Sequence, residues 1–280
     1  MKKILLLVLV IATLAALTLM PLAGCSQVSQ LNKLQAPWAN YEQFTYDITK
    51  TTGESTETVG TMIVTYRRAI NATVPINGND FTVNGSYCTM ELNITEGEGA
   101  GDSISSIVAF KTDFTPIASY RETKIGNETN TAYVRYNTGK NKGTVQLNGG
   151  EGIVFKHKGA FYDNEMMYYI IRASDLSSDS YTMAFAATDN LEGDAHDISV
   201  TRTTSTLTIN TFLGALECAS IVLTAAAEYG NGTSVAVAVA KSPVTFGTGD
   251  NARQLIKPII KITEGAYSYT LADVSFIDIE

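Results

Sequence analysis

The sequence predicts an all-β fold, a large curved antiparallel sheet with one short helix on its inner face. Apolar and polar residues alternate at period two along much of the chain beyond residue 38, the pattern of half-buried strands. Short polar turns separate these stretches: "TTGES", "NGND", "TEGEGAGD", "NTGKNKG", "NLEGD", "EYGNG" and "GTGDN". A single segment, "YDNEMMYYIIRASDL", has helical periodicity instead. Many strands joined by short turns pair antiparallel, with one face packed and the other largely wet.

The amino terminus comes first. Lys2 and Lys3 precede a charge-free run from Ile4 to Met20, and Pro21, Ala23 and Gly24 follow, which is the layout of a secretory signal peptide. The run is slightly short of the roughly 20 apolar residues of a spanning helix. Leu22, Ala23, Gly24 and Cys25 resemble the lipobox of bacterial lipoproteins. That resemblance implies that Cys25 is alkylated by a diacylglycerol and becomes the first residue after cleavage. A thiolate is a good nucleophile for the first step, and two acyl chains hold a protein on a membrane where one would not. Residues 1–24 are thus expected to be a signal peptide and 25–37, with "SQVSQLNKLQAP", a polar tether. Residues 38–280, opening on Trp38, are expected to form a single β domain on the extracytoplasmic face of a membrane.

Within that domain "SYCTMELNI" places Cys88, Met90, Leu92 and Ile94 on one face and Tyr87, Thr89, Glu91 and Asn93 on the other. Similar alternation predicts strands over residues 42–50, 59–68, 105–112, 117–123, 131–137 and 143–147. Further strands are predicted over 181–187, 196–203, 205–210, 214–228, 233–240, 257–263 and 267–276. Cys88 and Cys218 both fall on apolar strand faces. Two separate core thiols are expected rather than a disulfide, which the compartment would permit but whose geometry no sequence supplies.

The helix is predicted over residues 164–173, with Asp163 as its N-cap. Met166, Met167, Tyr169, Ile170, Ile171 and Ala173 cover a broad apolar arc, whereas Glu165, Tyr168 and Arg172 form a polar stripe opposite. One amphipathic helix among strands needs a concave apolar surface to lie on. Met166, Met167 and Ile170, with Phe161, are then either an adaptable floor for a lipid-like ligand or ordinary core. If the stripe faces the hollow, Arg172 must pair with a carboxylate, from Glu165 or from the sheet. A competing architecture is two β-sandwiches, with "SDLSSDS" at 174–180 as the linker.

The blocks "WANYEQFTYDI", "KTDFTPIASY", "FYDNEMMYYIIRASDL", "VAKSPVTF" and "YSYTL" resemble an uncharacterised exported family carrying a domain of unknown function. The resemblance implies a half-barrel, a curved antiparallel sheet similar to those of lipoprotein carriers, with helix packed in the hollow. It carries no catalytic residue.

Catalytic and cofactor chemistry finds little support. The two histidines, His157 and His196, lie in no hydrolase motif, and no G-x-S-x-G elbow occurs. His157 reads as an exposed strand-end residue. Two histidines and buried thiols do not suit zinc. Asp189, Glu192, Asp194, His196 and Asp197 cluster without EF-hand spacing and read as a solvated hairpin. "LNGGEG" lacks the Lys and Ser or Thr of a phosphate loop. No metal and no cofactor are expected. The formal net charge of −8, which becomes −10 without Lys2 and Lys3, repels phosphate backbones, so nucleic acid is not an expected partner. The expected protein is a non-catalytic lipoprotein. Its expected partners are the membrane, through lipidated Cys25, and either an apolar or amphipathic ligand or a protein of the cell envelope.

Overall fold

The computed structural model describes residues 34, 36–38, 40–157, 159–174, 180–186, 196–225, 234–249 and 252–276. The signal segment, Cys25, nearly all of the tether, the centre of the 174–180 linker and Asp189, Glu192 and Asp194 lie outside them. The first half of the chain forms β1 (Tyr41–Thr52), β2 (Ser55–Ile76), β3 (Asn79–Ile94), β4 (Ser103–Lys111), β5 (Pro116–Ile125), β6 (Glu128–Asn137), β7 (Lys142–Leu147) and β8 (Ile153–Lys156). Then come β9 (Tyr162–Asp163), a 3₁₀ turn (Asn164–Met166) and α1 (Met167–Ala173). The second half forms β10 (Ser180–Ala186), β11 (His196–Thr211), β12 (Gly214–Ala225), β13 (Ser234–Ala240), β14 (Val244–Phe246), β15 (Arg253–Leu255), β16 (Ile259–Glu264) and β17 (Tyr267–Ser275).

Fifteen strands form one sheet, in the order β8-β7-β6-β5-β4-β3-β2-β1-β17-β16-β13-β12-β11-β10-β9, and β14 with β15 forms a separate hairpin. Neighbours pair antiparallel except β9 and β10, which are parallel. Strands from both sides of residues 174–180 belong to this sheet, so the two-sandwich architecture does not hold. The sheet is not closed by hydrogen bonds: β8 stands at one end of the order and β9 at the other. Side chains bring the two ends together, because Phe161, just before β9, packs against Phe155 of β8 and Tyr136 of β6 with ring centroids 5.8 Å apart in each pair. The hollow so formed holds the main core, in which α1 and residues from β1, β2, β3, β16 and β17 pack together.

A second layer lies outside. Residues 69–85, the distal part of β2 and the proximal part of β3, fold over the outer face of β4, β5 and β6. There Val74, Ile76 and Val83 cover Ala109, Ala118 and Tyr133, each aliphatic side chain contributing on the order of 1.5–3 kcal/mol. Two features of the chain permit the bend. The β2–β3 register slips between Ala69 and Ala72, a bulge with Asn71 at φ 50°. Gly85 passes so close to β4 that a Cβ there would meet the Phe110 carbonyl at 2.2 Å. The flap turns back at Asn77 and Gly78, both at positive φ, as a two-residue hairpin requires.

Several expected boundaries differ. The 59–68 strand runs on to Ile76, because Pro75 masked a pairing that it tolerates near the hairpin end. Residues 196–203 and 205–210 are one strand carrying a register shift between Arg202 and Thr206. The elements β8, β9, β14 and β15 have at most four residues each, too few for alternation to register. Cys88 and Cys218 are separate, buried, free thiols.

Candidate functional site

The helix segment is the only departure from strand geometry that places several ionisable groups inside the hollow among the described residues. Asp163 is extended (φ −72°, ψ 144°) and accepts from the Glu165 amide at 2.7 Å, which starts the 3₁₀ turn as an N-cap does. At the other end Ser174 is extended again, and its hydroxyl donates to the Ile170 carbonyl at 2.6 Å. Seven α-helical residues cannot hold a helix in water. Here packing holds it, because every residue from Asn164 to Ala173 is buried.

The polar stripe therefore faces protein on all sides. Arg172 is fully buried, and its Nη1 lies 2.6 Å from the Glu42 carboxylate of β1, itself fully buried. Its Nε and Nη2 donate to the Ile256 carbonyl at 3.1 and 3.0 Å. The guanidinium carbon stands 4.7 Å from the Tyr66 ring centroid, 4.9 Å from Phe44 and 6.0 Å from Trp38. A charge withdrawn from water is tolerated here because a carboxylate, a carbonyl and aromatic faces replace its hydration. The same residue ties α1 to β1, β2 and the chain leading into β16.

Glu165 belongs to a different group. It lies 3.6 Å from Arg121 of β5, not against Arg172. Asp163 beside it accepts from Ser119 of β5 and Tyr136 of β6. Burial, and secondarily the Glu165 charge, push its carboxyl up to about 6. These contacts bind β9 to the face of β5 and β6, so polar groups as well as aromatic rings hold the sheet's two ends together. Tyr168, the last stripe residue, lies near Glu264 of β16 and Tyr269 of β17. Burial alone pushes the Glu264 carboxyl up to about 7.

Of the expected apolar floor, Met166, Met167 and Ile170 are at most 2% exposed and sit in the main core. Phe161 lies apart from them, in the small cluster at the meeting of the sheet's ends. His157 is half-buried rather than exposed, its ring 6.1 Å from Phe161 and its Nδ1 bonded within its own turn to Gly159. No group of three His, Cys, Asp or Glu side chains able to hold a metal occurs among the described residues. The interior charges thus bridge elements of the fold.

Sequence reasoning missed Glu42, Arg121 and Glu264. A signal existed for two of them: Glu42 shares a period-two face with Phe44, Tyr46 and Ile48, and Glu264 shares one with Ile260 and Ile262. A carboxylate on an otherwise apolar strand face marks a group that is buried with the face.

Comparison with known proteins places the architecture. No curated protein matches the chain. The crystal structure of a beta-barrel-like protein of domain of unknown function DUF1849 from Brucella abortus superposes with a TM-score of 0.53 at 9% sequence identity. That match covers 85% of this chain and 98% of the other, and at such identity the likeness is one of fold alone. Residues 45–254 match the family model described as protein of unknown function DUF3108. That span takes in the flap, the 3₁₀ turn and α1 with Arg172, and the chain belongs to the DUF3108 family.

Proposed function

We propose that this protein is a lipid-anchored, extracytoplasmic and non-catalytic module of the cell envelope, whose hollow is filled by its own helix and whose partners meet its outer surface. The lipobox-like Leu22 to Cys25 after an apolar run supports the anchor. The observation that carries the filled hollow is the burial of every residue from Asn164 to Ala173. A ligand seated between helix and sheet would have to displace packed side chains such as Met166 and Ile170, both 0% exposed. The other reading, an apolar or amphipathic ligand in the hollow, draws on Met166 and Met167, whose thioethers adapt to irregular shapes.

Mass spectrometry of the purified full chain tests both halves. The intact mass is expected to lack residues 1–24 and to carry a diacylglycerol on Cys25. Organic extraction is expected to release no stoichiometric lipid. An intact mass that retains residues 1–24 would overturn the anchor, and a lipid extracted one to one would overturn the filled hollow.

A further inference from the structure

Outside the hollow, between the tip of the flap and the outer face of β6 and β7, lies a groove of about 590 Å³. That volume falls within the roughly 300–1,000 Å³ of small-molecule sites. Its lining differs from the rest of this acidic protein: Arg135 and Lys142 supply two cations, and no Asp or Glu contributes. Neither cation is in an ion pair with a described residue. Arg135 is exposed, its guanidinium 5.8 Å from the Phe81 ring of the flap. Asn77, Asn79 and Gln146 add carboxamides, groups that both donate and accept. The Asn79 amide donates to the Asn77 carbonyl at 2.9 Å, which fixes the tip of the flap at the groove's rim.

Tyr133 also lines the groove and is only 6% exposed, its hydroxyl closed off from solvent. We propose that this groove binds an acidic saccharide, with Arg135 and Lys142 on its carboxylate and with the carboxamides on its hydroxyls. Hydroxyls donate and accept as carboxamides do, which matches the lining. Two unpaired cations in a molecule of formal net charge −8 call for an anionic group on the same ligand. The proposal does not rest on the filled hollow or on the anchor.

Calorimetric titration of the full chain in detergent, with tri-galacturonate, maltotriose and inorganic phosphate as probes, tests it. Tri-galacturonate is expected to saturate one site at least about tenfold more tightly than maltotriose, and phosphate not to displace it at equal concentration. Arg135→Gln and Lys142→Gln should each weaken binding about tenfold, the loss expected for a charge-assisted hydrogen bond. Unchanged thermal melts would show the variants folded. Absence of saturable binding, equal affinity for maltotriose, displacement by phosphate, or indifference to the cation variants would each overturn the proposal.

Discussion

Two arginines over aromatic rings divide this molecule into an inside and an outside. Arg172, in the hollow, has Tyr66 and Phe44 within 5 Å and a carboxylate at 2.6 Å. Arg135, on the outer face, has Phe81 at 5.8 Å and no carboxylate partner among the described residues. The difference follows from solvent. A buried guanidinium must find its counter-ion within the fold, because an unpaired charge there costs several kcal/mol, whereas an exposed one is neutralised by water or by a ligand. The same side chain is therefore structural in one layer and available in the other.

The interior half of the comparison gives the largest expected effects. Ile170, fully buried on α1, was a candidate for the ligand floor. If it is core, Ile170→Ala should cost roughly 2–5 kcal/mol in a denaturant melt, and a loss under about 1 kcal/mol would reveal space around the helix.

Burial with no ion pair among the described residues predicts a smaller and pH-dependent effect. The Glu264 carboxyl is raised from 4.5 to about 7, so the folded state holds its proton more tightly than the unfolded chain. Its contribution to stability is complete below pH 4.5 and is lost as pH rises through 7, a change of about 3 kcal/mol. Glu264→Gln should remove that part of the decline, so the variant gains on the natural protein between pH 5 and pH 8. Asp163, raised to about 6, titrates in both proteins and keeps a residual slope. Parallel pH profiles for the two proteins would show that Glu264 is solvated or paired.

The outer half predicts the smallest effect. Arg135→Gln should leave stability within about 0.5 kcal/mol, and a larger loss would mean that the exposed guanidinium braces the flap against β6.

The sheet, its antiparallel order and the single helix were legible because period two and period 3.6 survive over long segments such as "SYCTMELNI" and residues 164–173. The flap was not recognised, although Asn77-Gly78 between alternating Val74, Ile76, Phe81 and Val83 is a strong hairpin signal. Pro75 and the bulge at Asn71 broke the alternation that would have extended β2. The partner of Arg172 was legible only in kind. Local spacing puts Glu165 on the same helix face about two turns from Arg172, but the pairing with Glu42 depends on how the sheet curls around it. Pairs so distant in sequence leave no local pattern beyond a charge on an apolar face.

The central claim is that Arg172 is a buried structural cation whose counter-ion is Glu42. A double-mutant cycle on the two residues, read by denaturant melts at neutral pH, tests it most directly. Arg172→Ala alone should cost roughly 3–5 kcal/mol by removing the cation beside the buried Glu42 carboxylate. Adding Glu42→Gln should recover part of that loss, with a coupling energy of about 2 kcal/mol. A near-neutral Arg172→Ala, or two losses that simply add, would contradict the account and place the stripe of α1 toward water.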